Sequence, residues 1–245
     1  MDGVMYPGMC YLLAGRKKMG KTTLAGTISC NLNMENRRHL YIACEMSEEE
    51  IEQRNLARVT QSYASSFRND YGRSEEFKNK ISAAILSEND ATIYLDWASI
   101  PFENLKSAIA QAIPRYGIKG FVLDCLQLVG GKSPKKSQAE HQDDVAQWCV
   151  TYARQKGLFS VITAQINQTG NIRGGEGVRM ACDMAFEVHA PEDDPSRSER
   201  WLEMIETRYT GWADVGSKDN CVLVMNENGP YMYERIHDEQ APLPL

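Results

Sequence analysis

Gly15-Arg16-Lys17-Lys18-Met19-Gly20-Lys21-Thr22 fits the pattern G-x-x-x-x-G-K-[ST]. The two glycines let the backbone curl until its N–H groups point inward, where they can cradle phosphate oxygens. Lys21 is placed to reach the outer phosphates and Thr22 to offer a hydroxyl to Mg²⁺. Such a loop needs a strand leading in and a helix leading out. Met9-Cys10-Tyr11-Leu12-Leu13-Ala14 is a short apolar run of the kind that forms a buried parallel strand. From Thr22 and Thr23 onward, Leu24, Ala25 and Ile28 recur at helical spacing. That helix would aim its positive end at the same anion.

Strand and helix signals then alternate. Leu40–Cys44 reads as a second strand, stopping at Glu45-Met46. Ser47-Glu48-Glu49-Glu50 is a capping box that opens a helix to about Arg58. Residues 61–90 are polar and mixed and read as helix and loop without defined bounds. Ala91–Asp96 is the next strand, and Pro101 opens a helix that Pro114 and Gly117 are expected to end. Gly120–Leu126 is a strand, 130–136 a loop, Gln138–Gln155 a helix and Phe159–Ala164 a fifth strand ending at Gln165. A glycine-rich loop covers 170–177. Met184–Val188, Leu202–Thr207 and Cys221–Met225 read as later strands, and Asn226–Gly229 turns into Tyr231–Glu234 as a hairpin. The alternation predicts an α/β fold: a mainly parallel, twisted sheet with helices on both faces and a C-terminal β-hairpin. Residues 1–235 read as one domain, 191–200 as mobile and 236–245 as a flexible tail.

A chain of 245 residues has ample material for such a core. Its 24% charged and 42% hydrophobic residues are ordinary for a globular protein. The net charge of −6 argues against a generally basic nucleic-acid coat, while leaving room for a local basic loop. Seven cysteines are scattered singly with no C-x-x-C, which fits a reduced, cytoplasmic setting without zinc or disulfides. No stretch is apolar and long enough to cross a membrane, and no signal-peptide pattern is present.

A P-loop needs a second carboxylate for its metal. Asp124 ends four apolar residues, so its strand would present it at the carboxyl tip, where open α/β sheets bind ligands. Glu45 also ends a strand. It fits two roles equally: aligning an attacking water, or simply opening the next helix. Gln165 is either a contact to the terminal phosphate or a polar strand end. Arg208, just past a strand, is either a surface arginine or one that reaches a neighbouring subunit's phosphates.

Taken together, the motifs resemble the C-terminal ATPase domain of the DnaB-family replicative DNA helicases, which has a RecA-like P-loop NTPase fold. Arg16–Ala25 is similar to that family's P-loop. Cys44-Glu45-Met46-Ser47 is similar to the segment bearing its catalytic glutamate, and Asp124-Cys125-Leu126-Gln127-Leu128 to its Walker B strand. Ala164-Gln165-Ile166-Asn167 is similar to its glutamine sensor, Arg173–Asp183 to its central DNA-binding loop, and Arg208-Tyr209-Thr210-Gly211 to its arginine-finger segment.

The resemblance implies an ATP- and Mg²⁺-dependent hexameric ring that translocates on single-stranded DNA. ATP would meet Gly15, Arg16, Lys17, Lys18, Met19, Gly20, Lys21, Thr22 and Thr23, with the metal on Thr22 and Asp124. Lys21, Glu45, Gln165 and a neighbour's Arg208 would act in catalysis. Lys132, Lys135, Lys136, Arg173 and Arg179 would hold DNA phosphates with little sequence preference. A primase or loader protein is the expected partner, and the host cytoplasm the setting if the chain is phage-encoded. Glu206 stands where the family often has a basic residue, and Arg179 where an acid is common. The family's N-terminal collar and linker helix have no counterpart, which fits a compact phage or prophage form, a separate ATPase or a shortened chain. The competing reading is a RecA- or KaiC-like regulatory or recombination ATPase that binds DNA or protein without unwinding.

Overall fold

The apolar run before the P-loop forms β1 (Cys10–Gly15), every residue of it buried. Alternate side chains enter different cores. Cys10, Leu12 and Ala14 join one, while Tyr11 and Leu13 join the other on the opposite face of the sheet. The computed structural model describes residues 5–62, 67, 74–87, 90–167, 176–191, 199–208, 222–225 and 232–234. Gly20 has φ 95° where the P-loop enters α1 (Lys21–Met34), a left-handed geometry that only glycine adopts cheaply. A Cβ there would also lie 2.4 Å from the Met232 methyl, so the loop has closed down against the C-terminal strands.

The chain continues through β2 (His39–Ala43), α2 (Glu48–Val59), α3 (Glu75–Ser87), β3 (Thr92–Asp96) and α4 (Phe102–Tyr116). It then passes through β4 (Gly120–Asp124), α5 (Gln138–Lys156), β5 (Phe159–Gln165), α6 (Glu176–Ala181) and β6 (Met184–His189). The last strands are β7 (Glu199–Thr207), β8 (Val222–Met225) and β9 (Met232–Glu234). The capping box at α2 forms in both directions, at 3.2 Å each way between Ser47 and Glu50. A second one, Ser137 with Glu140, opens α5.

Several boundaries differ from the sequence reading. The helix expected within 61–90 is α3, whose Phe77 and Ala84 are buried. Pro114 does not stop α4, which runs on to Tyr116 and closes on Gly117 at φ 67°. A proline this near the end removes only the bond to Ala110, which is exposed and open to water. β4 ends at Asp124 rather than Leu126, because Leu126–Leu128 tightens into a 3₁₀ turn. Helix α6 begins at Glu176, within the last two residues of the 170–177 stretch read as loop. Residues 199–200, read as mobile, open β7. The turn between β8 and β9 and the 236–245 tail fall outside the described residues.

The sheet order is β3-β2-β4-β5-β1-β6-β7-β8-β9. The first six strands are parallel and the last three pairings antiparallel. Parallel pairing puts the ends of β1, β2, β4 and β5 on one edge, which gathers Gly15, Glu45, Asp124 and Gln165. The β8–β9 pair is the expected C-terminal hairpin in its strands. No described helix is long and apolar enough to cross a membrane. The six described cysteines are free thiols.

Candidate nucleotide site

Lys21 opens α1, and its ammonium donates to the Gly15 and Arg16 carbonyls, at 2.9 Å each. The P-loop is thus closed on its own lysine. Burial pushes the Lys21 pKa down, opposed by Cys125, Asp124 and Glu45. Arg16, Lys17 and Lys18 are exposed along the loop, Met19 and Gly20 are half-buried, and Thr23 is buried.

Asp124 is the polar hub. It is 3% exposed and accepts from Thr163 Oγ1 at 2.6 Å and Thr22 Oγ1 at 3.3 Å on one oxygen. Its other oxygen accepts from the Tyr41 hydroxyl at 3.1 Å. Burial raises the Asp124 pKa, while these three donors hold it down. A threonine hydroxyl beside a carboxylate is an all-oxygen donor set, suited to a hard divalent cation such as Mg²⁺.

Glu45 is exposed at the mouth of this edge, close enough for its charge to act on both Lys21 and Asp124. A carboxylate so placed touches solvent and can align or deprotonate a water. Gln165 stands directly beside Gly15 in the neighbouring strand. Its backbone is gripped by the Gln127 side chain, which accepts from the Gln165 N–H at 2.9 Å and donates to its carbonyl at 3.4 Å.

The antiparallel strands approach the loop from the other side. Arg200, 4% exposed, donates through Nε to the Met19 carbonyl at 3.2 Å. The Met232 N–H donates to Thr27 of α1 at 3.0 Å. Arg208 is exposed, and its guanidinium donates to the Met180 and Ala181 carbonyls at 2.9 and 3.0 Å, capping the end of α6.

The residues assigned to DNA are divided. Arg179 on α6 lies 3.6 Å from Glu206, so the two positions that depart from the family pattern face each other. Lys136 pairs with Asp144, and Lys132 donates to the Lys136 carbonyl at 2.8 Å. Lys135 is exposed. Arg173 lies outside the described residues.

Sequence reasoning missed Tyr41, Thr163, Gln127 and Arg200. The available signal was a hydroxyl or amide inside or just past an apolar strand that ends at a candidate residue. For Arg200 there was none.

The sequence pattern of the "DnaB-like helicase C terminal domain" matches residues 2–178. The chain belongs to the DnaB-like helicase C-terminal domain family. Among solved structures, one described as an ATPase domain superposes with a TM-score of 0.78 at 16% identity, covering 93% of this chain and 85% of that one. A DnaB-like replicative helicase, described with its interactions with primase, superposes equally well, with TM-score 0.78, 16% identity and 93% of this chain covered. This chain spans 57% of that protein's length. No match is found among curated proteins. Identities this low establish the shared RecA-like fold. Membership of the DnaB-like helicase C-terminal domain family rests on the sequence pattern.

Proposed function

We propose that this DnaB-like domain hydrolyses ATP between copies arranged in a ring, hexameric as the resemblance implies, and so moves along single-stranded DNA at the replication fork. One observation carries the reading. Lys21, Thr22 and Asp124, from an N-terminal loop and a strand 102 residues on, meet at one sheet edge, with Glu45 within electrostatic reach. The Gly15–Thr23 backbone binds the triphosphate. Lys21 leaves its carbonyl partners for the outer phosphates, and Glu45 aligns the attacking water. Thr22 and Asp124 would hold Mg²⁺, which would supply positive charge to the phosphates during transfer. Arg208 of an adjacent copy supplies positive charge in trans, and Gln165 relays the phosphate's departure toward the 168–180 segment. A primase or loader would bind the assembled ring.

A second reading, a DNA- or protein-binding regulatory ATPase without unwinding, is favoured by the ion pairs that occupy Arg179 and Lys136. ATPase assays with and without oligonucleotide, run beside strand separation of a forked duplex, decide between them. Single-stranded DNA is expected to stimulate turnover and the fork to open. Stimulation without separation would favour the second reading.

A further inference from the structure

We propose that Tyr41 is a positioning residue for Asp124, holding that carboxylate in the orientation its metal role requires. The proposal rests on the assignment of Asp124 to the metal. A carboxylate has about four acceptor positions. Three are filled: Thr163 and Thr22 on one oxygen, Tyr41 on the other. Two of these donors sit on the strands flanking β4, with β2 on one side and β5 on the other. The parallel register sets Tyr41 opposite Val122, two residues before Asp124, so the hydroxyl reaches forward along the sheet to the carboxylate. Thr163 follows Ile162, the partner of Leu123. Asp124 is therefore clamped from left and right by groups anchored in the sheet. Thr22, the third donor, belongs to the P-loop helix, and its hydroxyl is shared with whatever the loop binds.

Core packing does not account for the Tyr41 oxygen. The ring is 1% exposed among apolar neighbours, where phenylalanine would fill the same space. A hydroxyl buried there is costly unless it donates, and the partner it finds is Asp124. The ring is braced in turn. Tyr94 lies 6.0 Å away, and the Tyr94 hydroxyl accepts from Asn55 of α2, the helix that begins just after Glu45. Tyr41 also lines a recess beside the site with Thr22, Met46, Arg54 and Arg58. Its hydroxyl therefore ties the carboxylate to the elements that carry Glu45 and Thr22.

The test uses Mn²⁺ as a spectroscopic stand-in for Mg²⁺. Mn²⁺ binding to the full chain with a non-hydrolysable ATP analogue is measured by electron paramagnetic resonance for wild type, Tyr41→Phe, Thr163→Val and Asp124→Asn. Partners that orient a metal ligand contribute about 10- to 100-fold to affinity. Tyr41→Phe is therefore expected to weaken Mn²⁺ about tenfold, leave metal-free nucleotide binding unchanged, and regain turnover when Mg²⁺ is raised. Thr163→Val, the opposite jaw of the clamp, is expected to do the same and carries the test should Tyr41→Phe fail to fold. Unchanged Mn²⁺ affinity in Tyr41→Phe, or an equal loss of metal-free nucleotide binding, overturns the proposal. If Asp124→Asn also leaves Mn²⁺ binding intact, the assignment of Asp124 falls with it. If only Asp124→Asn weakens binding, that assignment stands and the role of Tyr41 alone is lost.

Discussion

In the parallel strands, the polar side chains at the sheet edge are satisfied from within the chain. Asp124 has three hydroxyl donors, Lys21 two carbonyls, and the Gln165 backbone a side-chain amide. In and beside the antiparallel strands, Arg200 is buried against the P-loop while Arg208, Arg179 and Glu206 stand toward the surface. Arg208 is exposed and, among the described residues, its side chain donates to helix-end carbonyls, and Glu206 and Arg179 pair at the surface. The two described histidines of these sheet halves repeat the pattern. His39 on β2 is fully buried against Ser29 at 2.7 Å. His189 on β6, where the antiparallel pairing begins, is half-buried, stacked on Trp201 and set between Glu187 and Glu203. One half is held by bonds within the chain. The other presents groups that suit completion by a second molecule.

The most severe test of that contrast is Arg208→Ala. If Arg208 acts across a subunit boundary, its loss lowers kcat by about 10³-fold or more, the range for arginine fingers. Lys21→Ala is expected to leave only background turnover. Mixing the two variants is expected to restore activity, because each interface then draws an intact half from a different chain. If Arg208 serves only as the α6 cap, its loss costs about 0.3–1 kcal/mol of stability and mixing rescues nothing. Steady-state ATPase on the mixtures, with thermal unfolding of each variant, separates the two.

Acid should strike the parallel half. Burial lowers the His39 pKa from its ordinary 6.5 to about 4. The unfolded chain therefore takes up a proton near pH 6.5 that the folded chain refuses until near pH 4. Stability is lost as pH falls through that window, by up to about 3 kcal/mol from this one group. Denaturant midpoints from pH 7.5 to 4.5 are expected to fall steeply for wild type and less for His39→Gln. Hydrogen exchange should quicken in β2 before β7. An equal pH slope in both proteins would remove His39 from the account.

What the sequence displays and what it hides divide along similar lines. The P-loop is legible because its function resides in backbone geometry, and glycine spacing encodes backbone geometry directly. Asp124 and Gln165 are legible because an apolar run followed by one polar residue marks a strand tip. Tyr41 is not, because tyrosine in an apolar strand is ordinary β composition. Its partner is 83 residues away, and only the strand order brings the two together. Arg200 hides in a polar stretch that reads as mobile. Pro114 misleads because a proline in the last turn breaks too little to end the helix. Helix α6 is too short for periodicity to reveal. Part of its support is remote, since Gly177 packs so closely on the Asp143 carboxylate of α5 that a Cβ there would lie 2.6 Å from it.

The finest test concerns Arg179 and Glu206. The resemblance assigns Arg179 to DNA and expects a base where Glu206 stands, yet these side chains face each other at 3.6 Å, each a little over one-third exposed. A partly exposed pair of this kind stabilises by about 0.2–1 kcal/mol. Arg179→Glu or Glu206→Arg alone should cost roughly that amount, and the double exchange should recover it in a double-mutant cycle of unfolding midpoints. DNA affinity asks a different question of the same residues. If the pair only joins α6 to β7, the double exchange binds oligonucleotide as wild type does. If Arg179 also holds a phosphate, Arg179→Ala lowers the slope of log affinity against log salt by roughly one unit. Glu206→Ala then tightens binding, because it releases the guanidinium. That second pattern would bring DNA recognition onto the same surface as Arg208, and the outward charge of the antiparallel half would serve the strand as well as the neighbour.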